Sequence, residues 1–193
     1  MTHFSSTKTL VLAVTFALCS ALGWAKDVPP AVANPTQALG EVIAKGKGFT
    51  VGSATSANTV YVMFDAQCPH CSQLWKASQP LLKSTKFVWI PVAILNAKSA
   101  PQGAALLSAS DPAQAMAAHE ASLLAGKGGV IIMGSIGPAM DAAIKGNNAV
   151  FNQLKVESVP FIIAKNARTG EAVSTAGALG TSALADFIGV DAN

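Results

Sequence analysis

One junction limits what this chain can become. The β-branched and aromatic run Val60-Tyr61-Val62-Met63-Phe64 passes through Asp65-Ala66-Gln67 into Cys68-Pro69-His70-Cys71. A helical pattern carrying Leu74, Trp75, Leu81 and Leu82 follows. The first run predicts a strand and the second a helix, with Pro69 suited to the first helical position. Cys68 then sits at the mouth of a helix, where unpaired backbone N–H groups and the positive end of the dipole favour a thiolate over a thiol. Cys71 lies one turn further in, within reach of a disulfide to Cys68.

The remaining patterns place strands and helices around that junction. Asn34-Pro35-Thr36-Gln37 reads as a capped helix start, with Leu39, Val42 and Ile43 as its apolar stripe and Gly46 and Gly48 as its stop. Phe49 to Gly52 reads as a short strand and Ser53 to Asn58 as a turn. Phe87 to Ile94 is a second strand, in which Pro91 points to an irregularity or an edge. From Ala97 to about Leu154 the pattern is helical and alanine-rich. Asp111-Pro112-Ala113-Gln114 starts a helix with Met116, Leu123 and Leu124 on one face, 136–145 and 149–154 read as two short helices, and 130–133 fits strand or loop. Val159 to Ala164 returns to strand, Arg168-Thr169-Gly170-Glu171 turns, and Ala172 to Thr175 pairs back. Thr181 caps a last helix with Leu184, Phe187 and Ile188 facing inward and Gly189 ending it. The crossover rule makes the strands on either side of the cysteine helix parallel neighbours. The expected fold class is therefore α/β, a thioredoxin-like plan with a helical insertion at about 97–154 that overhangs the cysteines.

Totals set the class of partner. The 193 residues are 51% hydrophobic and 12% charged, which suits one globular domain with a substantial core. A formal net charge of +3 with scattered lysines leaves no nucleic-acid footprint. Residues 1–25 read as an address, with Lys8 in a positive n-region, an apolar run from Leu10 to Leu22, and small residues at Gly23 and Ala25. Cleavage after Ala25 is expected, an uncleaved anchor being the alternative. Cys19 lacks a lipoprotein context because Leu18 fills the place of a small residue. Cleavage would leave Cys68 and Cys71 as the cysteines of a protein exported to an oxidising compartment. Residues 26–59 form a tether and short helix, too little for another independently stable domain. Residues 60–193 form the catalytic domain.

Several chemistries compete for the cysteine pair. Zinc needs two more ligands, and His70 and His119 are poor candidates, so no metal site is expected. Haem attachment needs histidine after Cys71, where Ser72 stands. An inert structural disulfide and thiol–disulfide exchange remain, and the helix-start context favours exchange without any cofactor. Cys68 is then the nucleophile and Cys71 the resolving thiol. Pro69 and His70 are candidates for tuning the thiolate, His70 otherwise being a solvated loop residue. Asp65 either caps the approach to the helix or takes a proton from Cys71. In a thioredoxin-like plan Val159-Pro160 faces the cysteines as a cis pair whose backbone binds substrate, the simpler alternative being a plain strand start. Trp75 and Trp89 read as packing, His119 as a solvated edge residue, and Gly126-Lys127-Gly128-Gly129 as a flexible connection.

These residues resemble the periplasmic DsbC/DsbG thiol–disulfide interchange proteins, DsbG being the nearer. The likeness rests on Val62 to Cys71, on Leu95 to His119 with Ala104-Ala105-Leu106-Leu107 and Asp111-Pro112-Ala113, on Val159 to Ile163, and on Gly177 to Thr181. It covers about residues 38 to 189. It implies a thioredoxin fold and thiol exchange with the cysteines of secreted proteins, reset by a membrane redox partner. Two departures qualify it. The short leader leaves no room for the relatives' N-terminal dimerisation domain, so a monomer is expected. Pro69-His70 and Val159 are similar instead to DsbA, an oxidase. Oxidation is thus weighed against disulfide isomerisation or reduction, including sulfenic acid reduction, and against a holdase chaperone with secondary redox activity. Thiol pKa values in such proteins run from about 7 down to about 3.5, a span worth about 5 kcal/mol. Reduction potentials run from about −270 to −120 mV, worth about 7 kcal/mol. Thiolate stabilisation therefore supplies much of the difference between reductant and oxidant, and a place toward the oxidising end is expected.

Overall fold

The structure, a computed structural model, describes residue 1 and residues 31–132 and 134–192. The proposed signal segment, Cys19 and the first part of the tether lie outside the described residues. Eleven elements organise the rest. In chain order they are α1 (Pro35–Lys45), β1 (Phe49–Gly52), β2 (Thr59–Asp65), α2 (Pro69–Ser78), β3 (Lys86–Val92), α3 (Ser99–Ser108), α4 (Pro112–Leu124), α5 (Pro138–Gln153), β4 (Phe161–Lys165), β5 (Ala172–Ala176) and α6 (Thr181–Ile188). A short 3-10 turn, Gln79–Leu81, extends α2.

The strands form one mixed sheet in the order β1-β3-β2-β4-β5. β2 and β3 run parallel, while β1 on β3, β4 on β2 and β5 on β4 are antiparallel. The central strands are covered on both faces, so β2 is buried continuously from Val62 to Asp65 and β4 from Phe161 to Ala164. Helices α1, α3 and α5 pack with β3, β4 and β5, and α2 packs with α4 and α6. Trp89 anchors the core beneath the cysteine helix, edge-on to Phe64 at 5.5 Å and to Trp75 at 5.3 Å. Such pairs add about 0.5–1.5 kcal/mol each beyond simple burial. The result is the α/β plan expected, with α3 to α5 between β3 and β4. Among the described residues no helix is long and apolar enough to cross a membrane.

Several local expectations change. β3 is an inner strand, yet β1 stops pairing at Phe49 opposite Trp89, so Pro91 falls where the strand has only one neighbour. The two short helices expected at 136–145 and 149–154 are one continuous helix, α5, running Pro138–Gln153. The interrupting Gly146-Asn147-Asn148 reads as a break because asparagine normally bonds its own backbone. Here both side chains are taken elsewhere. Asn147 accepts from Lys47 N–H and donates to the carbonyls of Lys47 and Pro91, each at 2.8 Å. Asn148 accepts from Ala93 N–H at 2.8 Å. Residues 130–132 adopt neither helix nor strand. On α1 the inward face is Ala38 and Val42, and Ile43 is exposed. On α4 Leu124 is exposed, and the inward face is Met116, His119 and Glu120. Thr181 is the first residue of α6 and donates its hydroxyl to Ala77 O at 3.0 Å instead of capping, which ties α6 to α2.

Asn147 links α5, the end of α1 and β3 through three hydrogen bonds. Asn147→Ala should lower unfolding free energy by about 1–3 kcal/mol in urea titrations, because it removes the donor to the buried Pro91 carbonyl and two part-buried bonds to Lys47. An unchanged midpoint would contradict this assignment.

Candidate active site

β2 delivers Asp65 to the sheet's end, and three residues later the chain turns into α2. Cys68 is the N-cap, with φ −93° and ψ 114°, and Pro69 is the first helical residue. Cys68 N–H donates to Asp65 O at 3.0 Å, and Cys68 O accepts from Cys71 N–H at 3.0 Å and Ser72 N–H at 3.3 Å. Proline costs nothing here, since its missing N–H would have had no intrahelical acceptor. The two cysteines are free thiols with unequal surroundings. Cys68 retains 4% exposure and Cys71 none.

That inequality separates their acidities. A hydrogen bond from the Cys71 thiol is the main influence bringing Cys68 down to about 6. Burial opposes it, the backbone N–H groups of Cys71 and His70 assist, and the charge of His70 adds least. Cys71 moves the other way, pushed well up by burial, by that same bond and by the Cys68 charge. Cys68 is therefore the thiolate near neutral pH, and Cys71 keeps the proton that stabilises it.

The neighbouring candidates occupy distinct places. His70 is exposed, with Nδ1 3.2 Å from Gln73 Oε1. Asp65 is fully buried, and its carboxylate accepts three backbone N–H groups: Gln67 at 2.8 Å on Oδ1, then Ile94 at 2.8 Å and Leu95 at 3.0 Å on Oδ2. It thus clamps the loop after β3 to the approach of the cysteine helix. The Val159–Pro160 peptide bond is cis. Cys68 Sγ lies 3.5 Å from Val159 O, to which the protonated thiol donates, so this backbone edge lies directly beside the sulfur.

Sequence reasoning missed a second tier of residues from the inserted helices. His119 is buried, contrary to the expected solvated edge. Its Nε2–H donates to Ala66 O at 2.7 Å, and Nδ1 accepts from Val130 N–H at 3.0 Å. Burial lowers its pKa, consistent with a neutral ring that donates on one side and accepts on the other. Gly126 to Gly129 is no loose connection either. Gly128 O accepts from Gln67 at 3.1 Å and Gln102 at 2.8 Å, and Gln102 also reaches Val130 O at 2.9 Å. A Cβ on Gly129, whose φ is +85°, would stand 2.4 Å from His119 Cε1. Ser72 donates to Glu120 Oε2, while Oε1 has no partner among the described residues. The available signal was the i, i+3, i+4 spacing of Met116, His119 and Glu120, which marks one helix face. Among the described residues no cluster of three or more His, Cys, Asp or Glu is placed to hold a metal.

Two outcomes test this geometry. The rate of Cys68 alkylation against pH should titrate with a midpoint of about 6, and Cys71→Ala should raise the midpoint by removing its main donor. A midpoint unmoved by Cys71→Ala would contradict the thiol–thiol bond. Gly129→Ala should cost about 1–3 kcal/mol from backbone strain, and more from the contact with His119. It should also speed hydrogen exchange at Val130 N–H, whose unchanged protection would show that the loop is not held by His119.

Known proteins place this arrangement. No protein-family profile matches the chain. It is 29% identical over 141 residues to the thiol:disulfide interchange protein DsbG of Pseudomonas aeruginosa, covering 72% of this chain and 54% of that protein. It is 35% identical over 65 residues to DsbG of Escherichia coli, covering 33% of this chain and 26% of that one. The chain spans about half the length of the Pseudomonas relative. The catalytic domain of Proteus mirabilis ScsC superposes with a TM-score of 0.63 at 14% identity, over 79% of this chain and 95% of that one. The thiol-disulfide exchange protein alpha-DsbA2 of Wolbachia pipientis gives 0.62 at 16% identity, over 80% and 94%. The sequence is thus similar to DsbG, as its motifs suggested, and the fold is thioredoxin-like.

Proposed function

We propose that this protein is a periplasmic thiol–disulfide oxidoreductase acting on cysteines of secreted proteins through Cys68 and Cys71. The observation that carries this reading is the split within the pair, a Cys68 brought down to about 6 against a buried Cys71 pushed well up. A nucleophile must be thiolate near neutral pH, and a resolving thiol must stay protonated until the mixed disulfide has formed. Acting as an oxidant, the Cys68–Cys71 disulfide is attacked at Cys68 by a substrate thiolate, which displaces Cys71. A second substrate thiolate then attacks the substrate sulfur of the mixed disulfide, forming the substrate disulfide and expelling Cys68 as thiolate. Run in reverse, the Cys68 thiolate attacks a substrate disulfide or sulfenic acid, and Cys71 releases it.

The similarity to thiol:disulfide interchange proteins named DsbG supports exchange, with disulfide isomerisation or reduction as the second reading. The acidity of Cys68 agrees with an intermediate place, since about 6 lies nearer the upper end of the range for such thiols than the lower. Pro69 and the backbone N–H of His70 hold the helix start that supports the thiolate. Asp65 fixes the approach to it. The Val159 backbone beside Cys68 is the edge on which a substrate segment aligns, with Pro160 setting its direction. In this reading residues 1–25 direct export and are removed, 26–59 form the tether and entering helix, and 60–193 catalyse. The protein works as a monomer, and a membrane redox partner resets the pair.

Trapping separates the roles. Cys71→Ala should accumulate mixed disulfides with exported proteins, visible as thiol-sensitive adducts on non-reducing gels, whereas Cys68→Ala should give none. Adducts formed only by Cys68→Ala would reverse the assignment.

A further inference from the structure

Two carboxyl groups are buried in the region of the cysteine pair, and they differ in how they are satisfied. Asp65 receives three backbone N–H bonds. Glu120, 1% exposed, comes from α4 and among the described residues receives one hydrogen bond, from Ser72, while Oε1 has no partner there. Ser72 directly follows Cys71 on the buried side of α2, so this bond brings the carboxyl to the inner face of the redox helix. No lysine or arginine pairs with it among the described residues. A lone carboxylate in such a place is costly, and a second anion at Cys68 makes it costlier.

We infer that Glu120 is a positioning residue of the exchange reaction, a buried carboxyl that holds a proton while Cys68 is a thiolate and gives it up when the pair is a disulfide. This rests on the proposed thiol–disulfide exchange. Burial first, then the Cys68 charge, raise Glu120 to about 7 against the lowering effect of the Ser72 bond. In the disulfide Cys68 has no charge, so that contribution vanishes and the carboxyl ionises at lower pH. The unpartnered oxygen suits a group that must exist in both forms.

The step balances. The oxidised state contains the Cys68–Cys71 bond and the Glu120 carboxylate. Two substrate thiols supply two electrons and two protons as their sulfurs join in a disulfide. The Cys68–Cys71 bond breaks, Cys71 takes one proton, Glu120 takes the other, and Cys68 remains as thiolate. Net charge within the protein is unchanged and no proton reaches solvent. Without Glu120 the second proton is released, and the equilibrium becomes pH-dependent.

The groups around Glu120 leave few competitors. From α2 the titrating groups are Cys68 and Cys71, with His70 and Lys76 exposed. α3 and β1 contain no ionisable side chain. On α4 the adjacent His119 is engaged at both nitrogens and Asp111 is exposed, as are Lys98 and Lys127 in the flanking loops.

The test is the redox equilibrium with reduced and oxidised glutathione from pH 5 to 8, for the protein and for Glu120→Gln. Between about pH 6 and 7, where Cys68 ionises and Glu120 of the reduced protein is still mostly protonated, the native constant should rise with pH less steeply than that of the variant. In Glu120→Gln it should rise toward the reduced protein by up to about tenfold across that unit. A merely structural role would lower Tm and leave the two curves parallel, which would overturn the inference. A second readout uses the native protein alone. Redox-difference infrared spectra at pH 6.5 should show a protonated-carboxyl C=O band appearing on reduction, and its absence would also overturn the inference. Failure of the native protein to exchange with glutathione would instead overturn the underlying reading of the cysteine pair.

Discussion

The structure depends on one proton, held by Cys71 and shared toward Cys68. Two thiols of equal surroundings would have similar acidities and no fixed roles. Here one cysteine keeps slight exposure at a helix mouth and the other, a turn further in, has none. Burial of Cys71 makes its ionisation costly, so it remains a donor, and donation makes Cys68 the acid of the pair. Each half of that asymmetry sustains the other. The core beneath, with Trp75 against Trp89, keeps the inner sulfur sealed.

Geometry of this kind needs a helix mouth that does not shift, and the surrounding polar groups provide it. Asp65 spends both carboxylate oxygens on backbone N–H groups, joining the end of β2 to the loop after β3. Opposite it, the inserted helices bind the same few residues from outside. His119 takes the carbonyl of Ala66, Gln67 and Gln102 share the carbonyl of Gly128, and Ser72 reaches Glu120. Buried polar groups of this sort are costly when left half-satisfied and rigidifying when complete. Among these groups Glu120 keeps one carboxyl oxygen without a partner in the described residues, on the inner side of the cysteine helix.

Local reading succeeded where one segment contains its own explanation. Cys-Pro-His-Cys after a β-branched run marks a strand-to-helix turn wherever it is placed, and Asn34 and Asp111 cap their helices through their own side chains. It failed where a side chain is satisfied by a distant segment. Asn147 and Asn148 looked like helix breakers because the backbone groups they serve belong to residues 47, 91 and 93. His119 looked solvated because its acceptor, Ala66, is 53 residues away. The glycines at 126–129 looked loose because nothing nearby in the chain shows that His119 fills the space a side chain would need.

By itself, then, the sequence determined the succession of strands and helices and placed the cysteine pair at a helix start. Hydrophobic period, proline position and helix polarity act over a few residues and need no partner to be read. Only the tertiary structure decided which carboxyl is clamped and which stands apart. Asp65 and Glu120 are the same chemical group, and their difference lies wholly in the donors that other segments bring to them. Burial and hydrogen bonding are properties of a packed neighbourhood, which a linear chain does not display.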